Sequence, residues 1–243
     1  MKLPKIRGII DRRVLVNFRV DPAILARVCP IPFRPQLING FGIAGVCLIR
    51  LKHVRPKGFP AFLALSSENA AHRIAVQWDS NGATHSGVYV PRRDTSSLLN
   101  VLAGGRIFPG VQNRARFEVL ETESEFHIAV NSDDGVANVA VDSKLSDGLP
   151  KDSIFTSIAQ CSQFFEGGSL GYSPASSPDQ FDGLELQTSN WKVQPLDVSR
   201  VQSSFFNDSN IFPEGSVAFD NALLMRGIDH EWHSRDQLCC SPG

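Results

Sequence analysis

Three stretches of the chain concentrate the side chains that acid–base or anion chemistry needs. The first is Ser66-Ser67-Glu68-Asn69-Ala70-Ala71-His72-Arg73. Glu68 and His72 are the candidate proton-transfer groups, because a carboxyl near arginines stays ionised while one in an apolar pocket keeps its proton and acts as an acid. The plainer alternative is a solvated loop ahead of a strand. The second stretch is Pro91-Arg92-Arg93-Asp94-Thr95-Ser96-Ser97. Here two arginines leave a predicted strand and enter a predicted helix, an arrangement that suits a bound anion. The alternative has Asp94 capping the helix and Arg92 and Arg93 in surface ion pairs. Neighbours on a strand face opposite ways, so at most one of Arg92 and Arg93 turns inward. The third stretch is Asp229-His230-Glu231-Trp232-His233. The spacing of His230 and His233 is not that of a helical metal pair, and on a strand they point to opposite faces. No metal is expected; one histidine with Glu231 in a pocket fits better. The sequence carries no nucleophile elbow, P-loop or dinucleotide fingerprint, and no cofactor is expected.

The elements that must position these residues are mostly short strands. Arg13–Val20 alternates and reads as a strand, and Asp21-Pro22 caps a short helix to about Val28. Gly42–Val54 is a long strand-like run, Pro56–Pro60 a turn, and Arg73–Trp78 and Gly87–Val90 a hairpin around Asp79–Gly82. Ser97–Ala103 reads as a helix ended by Gly104-Gly105. Arg114–Glu123, Glu125–Asn131 and Val136–Val141 are strands, the last two joined by a turn at Asp133-Asp134-Gly135. Asp152 or Ser153 is expected to cap the longest helix, which Gly167-Gly168 ends. Tyr172–Asp182 reads as an exposed loop, Leu184–Phe206 as two or three strands, and Ser216–Met225 as another. Residues 235–243 are expected to be a frayed tail. No repeat or linker divides the chain, so residues 1–243 are read as one domain, mainly β with a few helices, in a closed or partly open β-barrel.

Composition narrows the partners. With 42% apolar and 20% charged residues, the chain has an ordinary globular make-up. It has no apolar run of membrane-spanning length and no signal-peptide pattern, so no membrane partner is expected. Five cysteines in no disulfide or zinc spacing, with Cys239 and Cys240 adjacent, point to free thiols in the cytoplasm. The net charge of −1 hides an imbalance: residues 1–120 hold 18 Lys/Arg against 6 Asp/Glu, and residues 121–243 hold 6 against 19. Either the halves neutralise each other across a shared sheet, or several arginines line a site for an anion. A nucleic-acid groove is not expected, because the basic residues form no lysine-rich runs interleaved with aromatics. Homo-oligomerisation stays open.

Several strings together carry a resemblance: Phe18-Arg19-Val20-Asp21-Pro22, Gly45–Arg50, Glu68–Arg73, Gly87–Ser97, Phe164–Pro174 and Ala222–His233. They are similar to an uncharacterised bacterial branch of the acetoacetate-decarboxylase-like superfamily, a domain of unknown function, over nearly the whole chain. The resemblance implies a β-rich barrel around an enclosed, charged pocket. Decarboxylases of that superfamily form a Schiff base on a lysine that follows a Tyr-Pro. The matching place here is Phe108-Pro109, followed by Gly110-Val111, which cannot form an imine. The resemblance matches Arg12 and Glu68 to the family's assisting arginine and glutamate. Lys52, beside Arg50 in sequence, is the lysine to consider as a substitute. The expectation is therefore a pocket that binds a small organic acid, and acts on it, if at all, without a Schiff base. Arg12 and one of Arg92 or Arg93 would hold the carboxylate, Glu68 or His72 would move a proton, and His230 or Glu231 would close the site. The alternatives are a non-catalytic binding or sensing module and a decarboxylase with a relocated lysine.

Overall fold

The computed structural model describes residues 5–103, 110–175, 177 and 179–239. β1 (Ile6–Val20) is followed by α1 (Pro22–Val28), where the Asp21 carboxylate accepts from the N–H groups of Ala23 and Ile24. The short strands β2 (Arg34–Pro35) and β3 (Leu37–Ile38) lead into β4 (Phe41–Pro56). β5 (Leu65–Ser80) and β6 (Ala83–Thr95) form a hairpin whose turn residues Asn81 and Gly82 have φ of 51° and 74°. After α2 (Leu98–Ala103), the strands β7 (Gln112–Glu121), β8 (Glu125–Ser132) and β9 (Asn138–Leu145) run as a meander. Then come α3 (Ile158–Gly167), β10 (Leu170–Pro174), β11 (Gln180–Thr188), β12 (Gln194–Ser203) and β13 (Val217–Cys239). No helix among the described residues is long and apolar enough to cross a membrane.

All these strands belong to one sheet, and the sheet forks. β13 pairs along one edge with β1; on its other edge Ala222–Leu224 meet β12, while His230–Cys239 meet β11. β6 divides its edge in the same way: Val88 and Tyr89 pair with β10, and Arg93–Thr95 pair with β7. Following the pairings gives two rings. One runs β6–β7–β8–β9–β12–β13, the other β6–β10–β11–β13, and both close through β1, β4 and β5. The shared strands are therefore buried on both faces. On β1, Val14, Val16 and Phe18 join one apolar cluster with Ile128, Val141 and Leu196. Leu15 joins a second cluster, with Cys47 of β4 and with Phe165, which α3 supplies. The unbroken apolar run of β4 in the sequence is what a strand with two covered faces requires.

The structure departs from the sequence reading in several places. Ser66–His72 is not a loop but the first half of β5, paired with β4 and β6. Some of its polar side chains are paired within the sheet, as where Thr95 Oγ1 donates to Asn69 Oδ1 at 2.8 Å, while both ring nitrogens of His72 are buried with no hydrogen-bond partner among the described residues. Arg92, Arg93 and Asp94 lie inside β6 rather than at a helix start, and Thr95 Oγ1 accepts from the Ser97 N–H. α3 starts at Ser157, not at Asp152 or Ser153, because the Asp220 carboxylate holds Ser153 Oγ and the Ile154 N–H and diverts that segment. Tyr172–Pro174 is strand rather than exposed loop, and Tyr172 is buried. Arg235–Cys239 is paired with β11 rather than frayed. Gly104-Gly105, Phe108-Pro109 and Cys240 lie outside the described residues.

Candidate functional site

A cavity of about 320 Å³ opens on the second face of the shared strands. Arg13 comes to it from β1, Cys47 from β4, Arg73 from β5 and Arg93 from β6, while Phe165 of α3 and Trp232 of β13 close it. Strand alternation explains the set, since each arginine sits next in sequence to a residue that faces the other way. Among the described residues, none of the three arginines has a carboxylate within 4.0 Å. Arg13 Nε donates to Cys47 Sγ at 3.2 Å, and Arg93 Nε donates to Ser173 Oγ at 3.0 Å. Arg73 donates to Asn17 Oδ1, its guanidinium lies 4.9 Å from the Phe165 ring centre, and its Nε is buried with no partner among the described residues. Burial pulls Arg73 and Arg93 down to about 10. For Arg73, Cys47 opposes that shift and the charge of Arg13 adds to it.

Gly110 borders the same region. Its φ is +84°, and a Cβ there would lie 2.7 Å from Ser173 Cβ and 3.7 Å from Arg93 Nε. Gly110, which has no side chain, is thus beside Arg93. None of the described residues lining the cavity is a lysine. Lys52 pairs with Asp11 at 2.9 Å and is 45% exposed.

Of the residues singled out from sequence, Arg93 lines the cavity and Arg12, Glu68, His72 and Arg92 do not. Arg12, 1% exposed, donates to Glu68 Oε2 at 2.5 Å and to Glu121 Oε2 at 2.6 Å. Arg50 joins the same two carboxylates. Burial raises Glu121, but hydrogen bonds and charge from Arg12 and Arg50 outweigh it and hold the carboxyl below its usual range. Arg92 grips Asp94 at 2.7 Å and Asp134 at 2.9 Å. His72 is buried against Phe205, with ring centres 5.3 Å apart. Burial, with the charge of Arg92 added, pushes it down to about 4. His230 and Glu231 border a second, wider hollow of about 700 Å³ with Arg7, His53 and Arg55. Glu231 pairs with Lys57 at 2.7 Å and with His233 at 3.1 Å. His230 packs against Trp232, with ring centres 4.3 Å apart, so the third stretch reaches both cavities.

Sequence reasoning missed Arg13, Arg73 and Cys47. The signal was present: the alternation that separates Arg92 from Arg93 also separates Arg12 from Arg13 and His72 from Arg73.

A family model described as an uncharacterized conserved protein, DUF2071, matches residues 10–223. No curated protein matches the chain. Among solved structures, acetoacetate decarboxylase from Legionella pneumophila is similar at 10% identity and a TM-score of 0.61, covering 97% of this chain and 88% of that one. An acetoacetate decarboxylase-like enzyme from Sphingomonas wittichii RW1 is similar at 11% identity and 0.57, covering 97% and 92%. The enduracididine biosynthesis enzyme MppR, complexed with pyruvate, is similar at 10% identity and 0.57, covering 99% and 92%. At these identities the likeness is one of fold.

Proposed function

The chain belongs to the DUF2071 family and has an acetoacetate-decarboxylase-like fold, and from that premise we propose that the cavity binds a small organic acid without forming a Schiff base. One observation carries the reading: Arg13, Arg73 and Arg93 border a single cavity and have only neutral partners among the described residues. Arg73 is buried while Arg13 and Arg93 are partly exposed; a guanidinium taken out of water without a counter-charge costs several kcal/mol, roughly, and at Arg73 a bound carboxylate would offset that cost. A protein of the same fold has been solved with pyruvate, an organic acid, which supports the same class of ligand. Gly110 supports the chemistry proposed, since no amine is offered there for imine formation. Glu68 and His72 lie off the cavity wall, which favours binding over proton transfer by either group.

The test is ligand-induced thermal stabilisation of the full chain by pyruvate, acetoacetate and related acids. At ten times Kd, a ligand adds about 1.4 kcal/mol, or roughly 3–6 °C in Tm for a protein this size. Arg93→Gln is expected to abolish the rise, and Arg92→Gln, which breaks only the pairs with Asp94 and Asp134, is expected to keep it. A rise that survives in Arg93→Gln and disappears in Arg92→Gln would refute the assignment.

A further inference from the structure

The charges at the cavity wall say more than that an anion binds. Each guanidinium carries five N–H donors, and a carboxylate offers two oxygens and one negative charge. One carboxylate can satisfy one arginine fork, or bridge two, but it leaves a charge excess beside three. The lining offers little of its own to balance them. Its carboxylates among the described residues are Asp94 and Glu166. Asp94 is already held by Arg92, and Glu166 is exposed on the last turn of α3. Among the described residues Arg13 donates only to sulfur, at 3.2 Å to Cys47 and at 4.0 Å to Met225. The Arg73 Nε, on a residue 6% exposed, is buried with no partner among the described residues. The lining also carries hydrocarbon from Ile49, Leu51, Leu184 and Leu186, and neutral polar groups from Asn69, Asn100, Gln112 and Thr188.

We propose that the ligand is a small dicarboxylate, two carboxylates on a short apolar spine, held by Arg13, Arg73 and Arg93 together. The inference rests on the reading of the cavity as an organic-acid site and narrows it. Two carboxylates supply the second counter-charge and the extra acceptors that three forks require, and the spine lies against the aliphatic side chains of the lining.

Calorimetric titration of the full chain tests it with chain-matched pairs: succinate against butyrate, glutarate against valerate, and inorganic phosphate as a compact dianion. The dicarboxylates are expected to bind about tenfold or more tightly than their partners, a difference of about 1.4 kcal/mol. Arg13→Gln is expected to shrink that ratio towards one. The wild-type ratio decides the matter even if that variant fails to fold. Equal affinity within each pair would overturn the dicarboxylate and leave the organic-acid reading standing. Tighter binding of phosphate than of any dicarboxylate would also overturn it. No binding of any carboxylate would overturn both.

Discussion

Arg12 and Arg13 are adjacent, and their surroundings differ as much as two arginines' can. Arg12 meets two carboxylates in the sheet, and Arg13 meets only sulfur at the cavity. Removing Arg12 leaves Glu68 and Glu121 facing each other with Arg50 alone. Arg12→Met is expected to cost about 3 kcal/mol in urea unfolding, yet leave ligand-induced stabilisation intact. A loss of ligand response with unchanged stability would reverse the two roles. His72 gives a pH signature. Its folded value of about 4 lies below the usual 6.5, so the unfolded chain takes up the proton first. Stability is therefore complete above about pH 6.5, falls as pH drops towards 4, and levels below that, a change on the order of 3 kcal/mol. His230, also pushed down to about 4 by burial, adds a similar slope. His72→Leu is expected to remove about half of the decline between pH 6.5 and 4, and an unchanged slope would show that His72 titrates normally. The residue types at the site and the opposite facing of neighbours were legible in the sequence, but which of the two faces holds the cavity was not. The bulges that β1 makes against β4 near Ile10 and β5 makes against β6 near His72 reset the alternation locally.

At the scale of elements, the strands common to both rings were the most readable and the most misjudged. Gly42–Val54 was legible as a strand because both its faces are covered with apolar residues. Ser66–His72 was not, because its polar side chains look like a loop until β4 and β6 lie alongside to pair them. The same holds for Tyr172–Pro174, whose Ser-Pro composition hides a short strand that only β6 and β11 define. Close approach between shared strands has its own requirement. A Cβ on Gly45 would collide with the Val16 carbonyl oxygen of β1. Gly45→Ala is expected to lower stability by about 2–3 kcal/mol through forced separation of β1 and β4. An unchanged denaturation midpoint would mean that this pairing has slack.

Across the whole molecule, part of the charge imbalance between the halves is met by ion pairs that cross between them. Arg12 and Arg50 with Glu121, Arg19 with Asp220, Lys57 with Glu231 and Arg92 with Asp134 each join the basic half to the acidic one. Arg13, Arg73 and Arg93 are among the basic residues that pair with no carboxylate among the described residues, and these three border the cavity. Composition could show the surplus but not which residues held it, because the pairing partners are up to 201 positions apart. Since β13, β1, β4, β5 and β6 belong to both rings, calorimetry is expected to show one unfolding transition rather than two. Two resolved transitions would mean that the rings melt separately. The pairing of β1 with β13, from Ile6 opposite Trp232 to Val20 opposite Val217, reaches from the start of the fold to its last strand. During synthesis, β1 must therefore wait with one edge bare until residues 217–239 have left the ribosome, and neither ring can be completed before then.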